Sequence, residues 1–254
     1  MKNSAIKKAC AVLSVLLGAS SVWATGYQER DEINRSFTLP ARARVDVSAI
    51  NGSVDIQTTD GDTAIVQLER TGRSRTEMDC NKVTVEQVLG TLTIESENVG
   101  GPGCQTIQVK HRLLLTLPRH ANLSVHGVAG PINVGEIDGT LRLSGNSGNI
   151  NLAQPGRGSR ITGHSGAISI KLHKLEPPGL ELSGNIGAIK LYVDEESNAA
   201  VRVSGLSGTA SSELPNVRFI KTGDADYYAR IGSGRPMIYV EGNSGNISLI
   251  RYRE

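Results

Sequence analysis

The chain has 254 residues, of which 27 are basic, 25 are acidic and 29 are glycine. This length corresponds to one large domain or two small ones. The near balance of charges gives no electrostatic basis for binding nucleic acid or an anionic membrane surface.

Residues 1–24 have the pattern of a secretory signal peptide. A start with three lysines is followed by an apolar run, and Val22-Trp23-Ala24 supplies small residues where a signal peptidase cleaves. The run is too short for a retained membrane anchor. Lys7 stands where a lipoprotein signal before Cys10 would need a branched apolar residue. We therefore predict export to the periplasm or cell surface, with no membrane span after cleavage.

Cleavage would change both the charge and the cysteine count. Removing three lysines from 27 basic residues leaves 24 against 25 acidic residues, a net charge of −1. Cys80 and Cys104 would remain, and an even pair in an oxidising compartment predicts a disulfide. Closing this loop of about 25 residues would stabilise the fold by about 3–4 kcal/mol. Two buried free thiols are the alternative, because sequence does not fix connectivity.

Short runs of alternating apolar and polar residues predict β-strands. They are Val45-Asp46-Val47, Val54-Asp55-Ile56, Val83-Thr84-Val85, Leu92-Thr93-Ile94, Ile107-Gln108-Val109, Leu141-Arg142-Leu143, Ile168-Ser169-Ile170, Leu180-Glu181-Leu182 and Val201-Arg202-Val203. After residue 44, only 77–89 leaves room for a short helix.

One phrase, Gly-x-x-Gly-x-(Ile/Ala), recurs along the chain. Its copies begin at Gly127, Gly145, Gly163, Gly184, Gly205 and Gly242, with a weaker copy at Ala49. The steps are 18, 18, 21, 21 and 37 residues, the last being close to two units. A period near 20 residues is typical of stacked repeats, whose units bury their apolar faces only against neighbours.

The second glycine is kept in every copy, at Gly130, Gly148, Gly166, Gly187, Gly208 and Gly245. Glycine at a repeated corner allows positive φ and a close approach of neighbouring units. We therefore predict an all-β solenoid with two short strands and Gly-x-x-Gly corners in each unit of 18–21 residues. The alternative is an antiparallel meander with these phrases as hairpin loops, which the near-constant period disfavours.

The predicted domain organisation has three parts. After the signal peptide, 25–44 is a lead-in segment and 45–254 is one solenoid domain. Within it, 118–254 holds the regular repeats. The looser layer over 45–117 is either a cap or a semi-independent sheet, with Asp60-Gly61-Asp62 as a tight turn.

Several motifs together point to a known family. They are Ile50-Asn51-Gly52-Ser53-Val54-Asp55-Ile56, Asp60-Gly61-Asp62, Leu115-Thr116-Leu117-Pro118 and the run of Ser-Gly-x-x-Gly phrases. With these motifs the chain resembles, over about 45–250, the bacterial "putative adhesin" domain family of envelope proteins, a relative of the head domain of autotransporter adhesins. The resemblance implies a right-handed β-solenoid-like fold and a cell-envelope setting. It brings no catalytic or binding residue with it.

The phrase Gly163-His164-Ser165-Gly166 is the nearest approach to a catalytic motif. A nucleophile elbow needs Gly-x-Ser-x-Gly on a strand-to-helix turn, and here position 167 is Ala and no helix follows. The slot of Ser165 holds Ile186 in a sister repeat, which is typical of a corner position. We expect His164 and Ser165 to be ordinary surface residues that tolerate alanine.

Other polar clusters also lack the pattern of a site. The spacing of His111, His120 and His126 does not match a metal site, so these rings are expected to be solvated or hydrogen-bonded. Asp194-Glu195-Glu196 is contiguous, as in a solvated loop, and Arg251-Tyr252-Arg253 is expected to fray. We predict no catalytic residue, metal or cofactor.

The first functional interpretation is a non-enzymatic adhesin-like interaction or scaffold module. Outward ladders would bind a repetitive ligand, either a glycan or the strand edge of an envelope protein. Their members include Arg142, Asn151, Lys171, Glu181, Lys190 and Arg202. The alternatives are a periplasmic accessory or stress-signalling protein and, disfavoured because no carboxylate pair is evident, a polysaccharide-acting β-helix enzyme.

Overall fold

The computed structural model describes residues 29–194 and 197–252, so the predicted signal peptide lies outside the described residues. Strands in these ranges form two sheets. Sheet A contains, in spatial order, β1 (Glu29–Thr38), β4 (Thr63–Gly72), β7 (Lys110–Pro118), β3 (Gly52–Thr59), β9 (Ile132–Glu136), β11 (Ile150–Gln154), β13 (Ile168–Leu172), β15 (Ile189–Val193), β21 (Ile247–Arg251) and β17 (Ala210–Ser212). Sheet B contains β18 (Ile220–Lys221), β19 (Tyr227–Ile231), β16 (Ala199–Ser204), β20 (Met237–Glu241), β14 (Gly179–Ser183), β12 (Ser159–Thr162), β10 (Leu141–Ser144), β8 (Asn122–His126), β2 (Arg44–Ser48), β6 (Thr91–Asn98) and β5 (Asn81–Val88).

Each regular rung of the fold consists of a sheet B strand, a five-residue corner and a sheet A strand. Neighbouring rungs pair in parallel, so equivalent residues stack in columns. One such column contains Val54, Ile132, Ile150, Ile168, Ile189 and Ile247. A meander would pair these strands antiparallel, so the predicted β-solenoid is confirmed.

The core lies between the two sheets. Alternation along each short strand turns every second side chain inward, and the isoleucine column of sheet A is completely buried. Full burial of one such side chain contributes about 1.5–3 kcal/mol relative to exposure. A single rung cannot cover these side chains, so stability depends on the stack.

The corners depend on the two glycines in different ways. Gly163, the first glycine of its phrase, has φ +60° and an open side where a Cβ would point. Gly166, the second, has φ +137°, and a Cβ there would lie 2.0 Å from the carbonyl oxygen of Gly148 in the next rung. The second glycine is therefore fixed by contact between rungs, whereas Ala49 adopts φ 55° at the first position of another corner.

Chain order and spatial order differ at both ends of the stack. The first rung, β2/β3, lies between β6/β7 and β8/β9, and the last rung, β20/β21, inserts between β14/β15 and β16/β17. The 37-residue step from Gly205 to Gly242 therefore holds β17 and the antiparallel pair β18/β19 before the chain returns.

Apart from the first rung, β2/β3, the looser layer over 45–117 forms a cap that continues both sheets. Strands β1, β4 and β7 extend sheet A, and β5 and β6 extend sheet B, with β1 inside the predicted lead-in segment. The helix expected within 77–89 is instead α1 (Arg75–Asp79), and β5 occupies most of the remainder. The strand predicted at 107–109 is wrong, because this segment is loop and β7 begins at Lys110.

A disulfide between Cys80 and Cys104 ties α1 to the loop before β7, with Cα atoms 5.5 Å apart. The buried carboxylate of Glu77 lies beside it. Glu77 accepts hydrogen bonds from the backbone N–H of Arg73 at 2.7 Å and of Gln108. The excursion between β4 and β7 is thus held by one covalent and several polar contacts.

Candidate functional site

Parallel register places outward side chains of sheet A in straight rows that cross the strands. The first row contains Leu114, Asp55, Asn133, Asn151, Ser169, Lys190, Ser248 and Ser211. The second runs from Thr116 and Gln57 to Lys171, Tyr192 and Ile250, and between them Gly135 and Ala153 directly follow the last residues of β9 and β11 that pair with β3 and β13. Three of the six ladder residues expected to point outward, Asn151, Lys171 and Lys190, lie on this face.

The second row is interrupted by a depression, which we call the notch. Its floor is Gly135 and Ala153, whereas the flanking row members Gln57 and Lys171 carry long side chains. A Cβ on Gly135 would lie 2.9 Å from the Oγ1 of Thr58, so a larger residue there would displace the Thr58 side chain. The depression has a volume of about 720 Å³.

A directed chain of side-chain amides crosses the notch. Asn133 Nδ2 donates to Asp55 Oδ1 at 2.5 Å, and Asn151 Nδ2 donates to Asn133 Oδ1 at 2.9 Å. Each amide keeps a second N–H, and within the described ranges Asn151 Oδ1 has no hydrogen-bond partner. The carboxylate therefore orients both amides and leaves donors and an acceptor facing solvent.

The notch is bordered by charged residues on both sides, and on the β3 side the Asp55 carboxylate lies near the Arg112 guanidinium of β7. Asp55 is its only carboxylate-bearing lining residue in the described part of the chain, on the β3 side. Lys171 and Lys190 lie on the opposite side and form no ion pair within 29–194 and 197–252. Lys171 Nζ lies 5.3 Å from the ring centroid of Tyr252. Among the described residues, the side formed by β13 and β15 therefore carries a positive charge with no carboxylate paired to it.

The outer face of sheet B has a different composition. Its central row runs through Ser124, Arg142, Arg160, Glu181, Tyr239, Arg202 and Tyr228. Arg160 donates to Glu181 at 2.7 Å, so part of this charge is neutralised. A smaller depression of about 460 Å³ lies around Ser124 and Arg142. The other three expected ladder residues, Arg142, Glu181 and Arg202, lie here.

Comparison with known proteins identifies the family. The family model Toastrack DUF4097 matches residues 44–250, which is most of the chain. The chain belongs to the Toastrack DUF4097 family. This match confirms the resemblance that the sequence motifs indicate. No curated protein matches the chain at a significant level.

Two solved structures resemble this Toastrack chain at low identity. A "putative cell adhesion protein" from Clostridium sporogenes is 10% identical, covers 88% of this chain and all of its own, and has a TM-score of 0.45. A "putative adhesin" from Bacteroides fragilis is 18% identical, covers 87% of this chain and 97% of its own, and has a TM-score of 0.42.

The corner at Gly163 in the Toastrack domain separates its histidine from its serine. Ser165 is exposed on the outside of the corner, whereas His164 is 1% exposed and points into the core. The expectation that His164 is a surface residue is therefore wrong, because this corner position turns inward. Burial lowers the pKa of His164. The two side chains lie on opposite sides of the corner and do not form a nucleophile–base pair.

The three histidines considered from the sequence do not come together as a site. His126 is exposed and His120 is half-buried, while His111 is buried in the cap. His111 Nδ1 accepts from the backbone N–H of Asn51 at 3.2 Å, and Nε2 donates to Asn81 Oδ1 at 3.0 Å. Burial lowers the pKa of His111 to about 4.

Ser96 Oγ lies 3.3 Å from His111 Nε2, but both side chains are buried, so a substrate has no access to this pair. Arg70 extends the network by bonding the backbone carbonyl of Asn81 and the carboxylate of Asp31. The structure thus assigns His111 a structural role that its sequence spacing does not reveal. A single isolated polar residue on the inward face of β7 is the only sequence signal for it.

The two remaining charged segments considered from the sequence are only partly described by the structure. Glu195, Glu196 and Arg253 fall outside the described residues, and His173 Nδ1 lies 3.8 Å from Asp194. The expectation that 251–253 frays is wrong for its first two residues. Arg251 ends β21, and the backbone N–H of Tyr252 donates to the carbonyl of Val193.

Proposed function

We propose that this Toastrack chain is a non-enzymatic, exported module of the cell envelope that binds its partner through the notch face of sheet A. The observation that carries the proposal is the interruption of a regular outward row by Gly135 and Ala153. It coincides with the amide chain that starts at Asp55 and with the positive charges of Lys171 and Lys190, which form no ion pair with a described residue. A scaffold that only needed solubility would not require this combination on one face.

The non-enzymatic part of the proposal is supported by the donor set of the notch. Glycoside hydrolysis generally needs two carboxyl groups on either side of the bond. The described lining of the notch supplies only Asp55, whose Oδ1 already accepts from Asn133. No group of three metal-ligating side chains is found in the described ranges. Incubation with envelope polysaccharides and mass-spectrometric readout tests this, and any turnover would contradict it.

Export is supported by the signal-peptide pattern of residues 1–24 and by the pairing of Cys80 with Cys104, because disulfides persist in oxidising compartments. No helix among the described residues is long and apolar enough to cross a membrane. N-terminal sequencing of the protein from an envelope fraction should begin at Thr25 or within a few residues. An uncleaved cytoplasmic protein would contradict export.

The binding surface is tested with a matched pair of variants. Ala153→Leu fills the floor of the notch from an outward position, and Arg142→Gln changes an exposed charge on sheet B. Immobilised mature protein and both variants are exposed to envelope polysaccharide and envelope protein fractions. We expect Ala153→Leu to lose the retained partner and Arg142→Gln to keep it. The reverse result would exclude the notch face. A retained membrane protein would favour the accessory or signalling role.

A further inference from the structure

The shape of the notch limits what can lie in it. The backbones of β3 and β13 are three inter-strand spacings apart, about 14 Å, and the small side chains lie on the two strands between them. A flat, compact group fits across β9 and β11, whereas the long side chains of Gln57 and Lys171 border it on either side. A sugar ring has these proportions.

The floor of the notch excludes recognition by strand addition. Strands β9, β11 and β13 each have a paired strand on both sides, so none of them offers a free sheet edge. A partner peptide could not add main-chain hydrogen bonds there, which is how strand addition gains affinity. Recognition in the notch must therefore use side chains.

The free polar atoms of the notch suit hydroxyl groups. Asn133 and Asn151 each present one unused N–H, and Asn151 Oδ1 presents an unused acceptor beside the Ser169 hydroxyl. Each hydroxyl group of a sugar can both donate and accept a hydrogen bond, so neighbouring hydroxyls can pair with amide N–H groups and with the amide oxygen. Because Asp55 orients both amides, these groups are pre-organised before the ligand arrives. The half-buried ring of Tyr192 lies at the edge, where it can cover an apolar sugar face.

The charge distribution selects among sugars. Lys171 and Lys190 are diagonal neighbours on β13 and β15, since Ser169 pairs with Lys190 and Lys171 with Tyr192. A carboxylate at this end would meet two ammonium groups and a hydroxyl, while the hydroxyl-bearing end would lie near Asp55. A neutral sugar would leave the positive end without a counter-charge.

We propose that the notch binds an acidic oligosaccharide, with a uronate ring across β9 and β11 and its carboxylate between Lys171 and Lys190. The proposal rests on the proposed function, because it names the ligand class of the same surface. It does not depend on a repeated ladder along the whole sheet, since one ring position accounts for every group named.

The test measures binding of a uronate tetrasaccharide and of its methyl ester to the mature protein by isothermal titration calorimetry. Losing one charge-assisted hydrogen bond should weaken binding about tenfold, so we expect this loss for the ester and for Lys171→Gln. Arg142→Gln removes the same charge from sheet B and should leave the affinity unchanged. Ala153→Leu should abolish binding.

Two outcomes would overturn the inference and separate it from the proposed function. Equal affinity for the acid and the ester would exclude carboxylate recognition. If Ala153→Leu then lost binding of both saccharides, the notch would still be the binding surface. No binding of either saccharide would exclude this ligand class. If neither saccharide bound but Ala153→Leu still failed to retain an envelope protein that the parent retains, the notch would remain the binding surface for a protein partner.

Discussion

The middle of the stack and its two ends differ in how successive rungs are ordered and in the contacts that stabilise them. From β8 to β15, consecutive rungs are spatial neighbours, and each uses the same corner and the same inward columns. At the ends the chain returns to insert a rung beside an earlier one, and the contacts become individual. Repetition stabilises the interior, whereas each end needs its own way to cover a sheet edge.

The two ends solve this problem differently. At one end a ten-residue strand with charged residues, β1, covers sheet A, and a buried polar network around His111 lies between the sheets. At the other end the edge strands are very short: β17 has three residues and β18 has two. Charge and short length are both known means of preventing edge-to-edge association.

The largest expected effect comes from a substitution that disrupts a corner in the middle of the stack. Gly166→Val combines positive-φ strain with a Cβ 2.0 Å from the Gly148 carbonyl oxygen, so the rungs must move apart. We expect a loss of about 4 kcal/mol or more in the free energy of unfolding, because strain and overpacking add. Chemical denaturation measures it.

Gly163→Asn is the matched control in the same corner. Its φ of +60° is accessible to Asn, and the position is open. We expect the free energy of unfolding to fall by less than about 1 kcal/mol. Similar losses for the two variants would mean that contact between rungs does not select the second glycine.

This asymmetry shows what the sequence can reveal. The repeat of two glycines predicts positive φ and close approach, and the alternating runs predict most strands, because both depend on local rules. The order of rungs at the ends depends on long-range pairing of β6/β7 and β20/β21, which no local pattern encodes. The notch is intermediate: Gly135 and Ala153 become visible only when the outward residues are aligned by register.

The second prediction concerns the cap alone. Replacing both Cys80 and Cys104 by Ala removes the constraint on a loop with a sequence separation of 24, which should cost about 3–4 kcal/mol. Hydrogen exchange should show the loss of protection in β4 to β7 first, with the middle rungs still protected.

The disulfide itself is tested by mass analysis of the parent protein after alkylation, which should find no free thiol before reduction. Labelling of both cysteines in the unreduced native protein would contradict the disulfide.

The third prediction uses pH to weaken the cap. The pKa of His111 falls from 6.5 to about 4 on folding, chiefly through burial. As pH falls from about 6.5 to about 4, the unfolded chain gains a proton that the folded chain does not. Stability should therefore decrease over this window by about 3 kcal/mol and then level off with respect to this group.

The free energy of unfolding at pH 7 and at pH 4.5 checks this, with His126→Gln as an exposed control. NMR of the ring protons is a second readout: His111 should keep its neutral-form shifts at pH 5. A His111 ring that titrates near pH 6.5 in the folded protein would contradict the network.

The smallest prediction returns to the middle rungs and to their inward corner positions. The stack at this position contains Ile50, Val128, Asn146, His164, Asn185, Asn243 and Leu206. The Oδ1 of Asn146 accepts from the N–H of Val128 at 2.9 Å, and that of Asn185 accepts from the N–H of His164 at 3.0 Å. Among the described residues neither ring nitrogen of His164 forms a hydrogen bond of good geometry, although backbone groups of Asn146 and Gly148 lie near the ring and partly offset the effect of burial on its pKa.

Asparagine at position 164 would complete this pattern, with its Oδ1 accepting from the N–H of Asn146. We expect the free energy of unfolding of His164→Asn to be about 1 kcal/mol higher than that of His164→Ala, because one hydrogen bond has about this net value. The stability of His164→Asn relative to the parent should also increase as pH falls below about 6.5. The pKa of His164 is lowered in the folded parent, so acid favours the unfolded parent and not the unfolded variant. Ser165→Ala, outside the same corner, should stay within about 0.5 kcal/mol of the parent. Denaturation at pH 7 and pH 5 decides. If His164→Asn were less stable than both the parent and His164→Ala, the buried ring would hold a specific contact rather than a replaceable place in an asparagine stack.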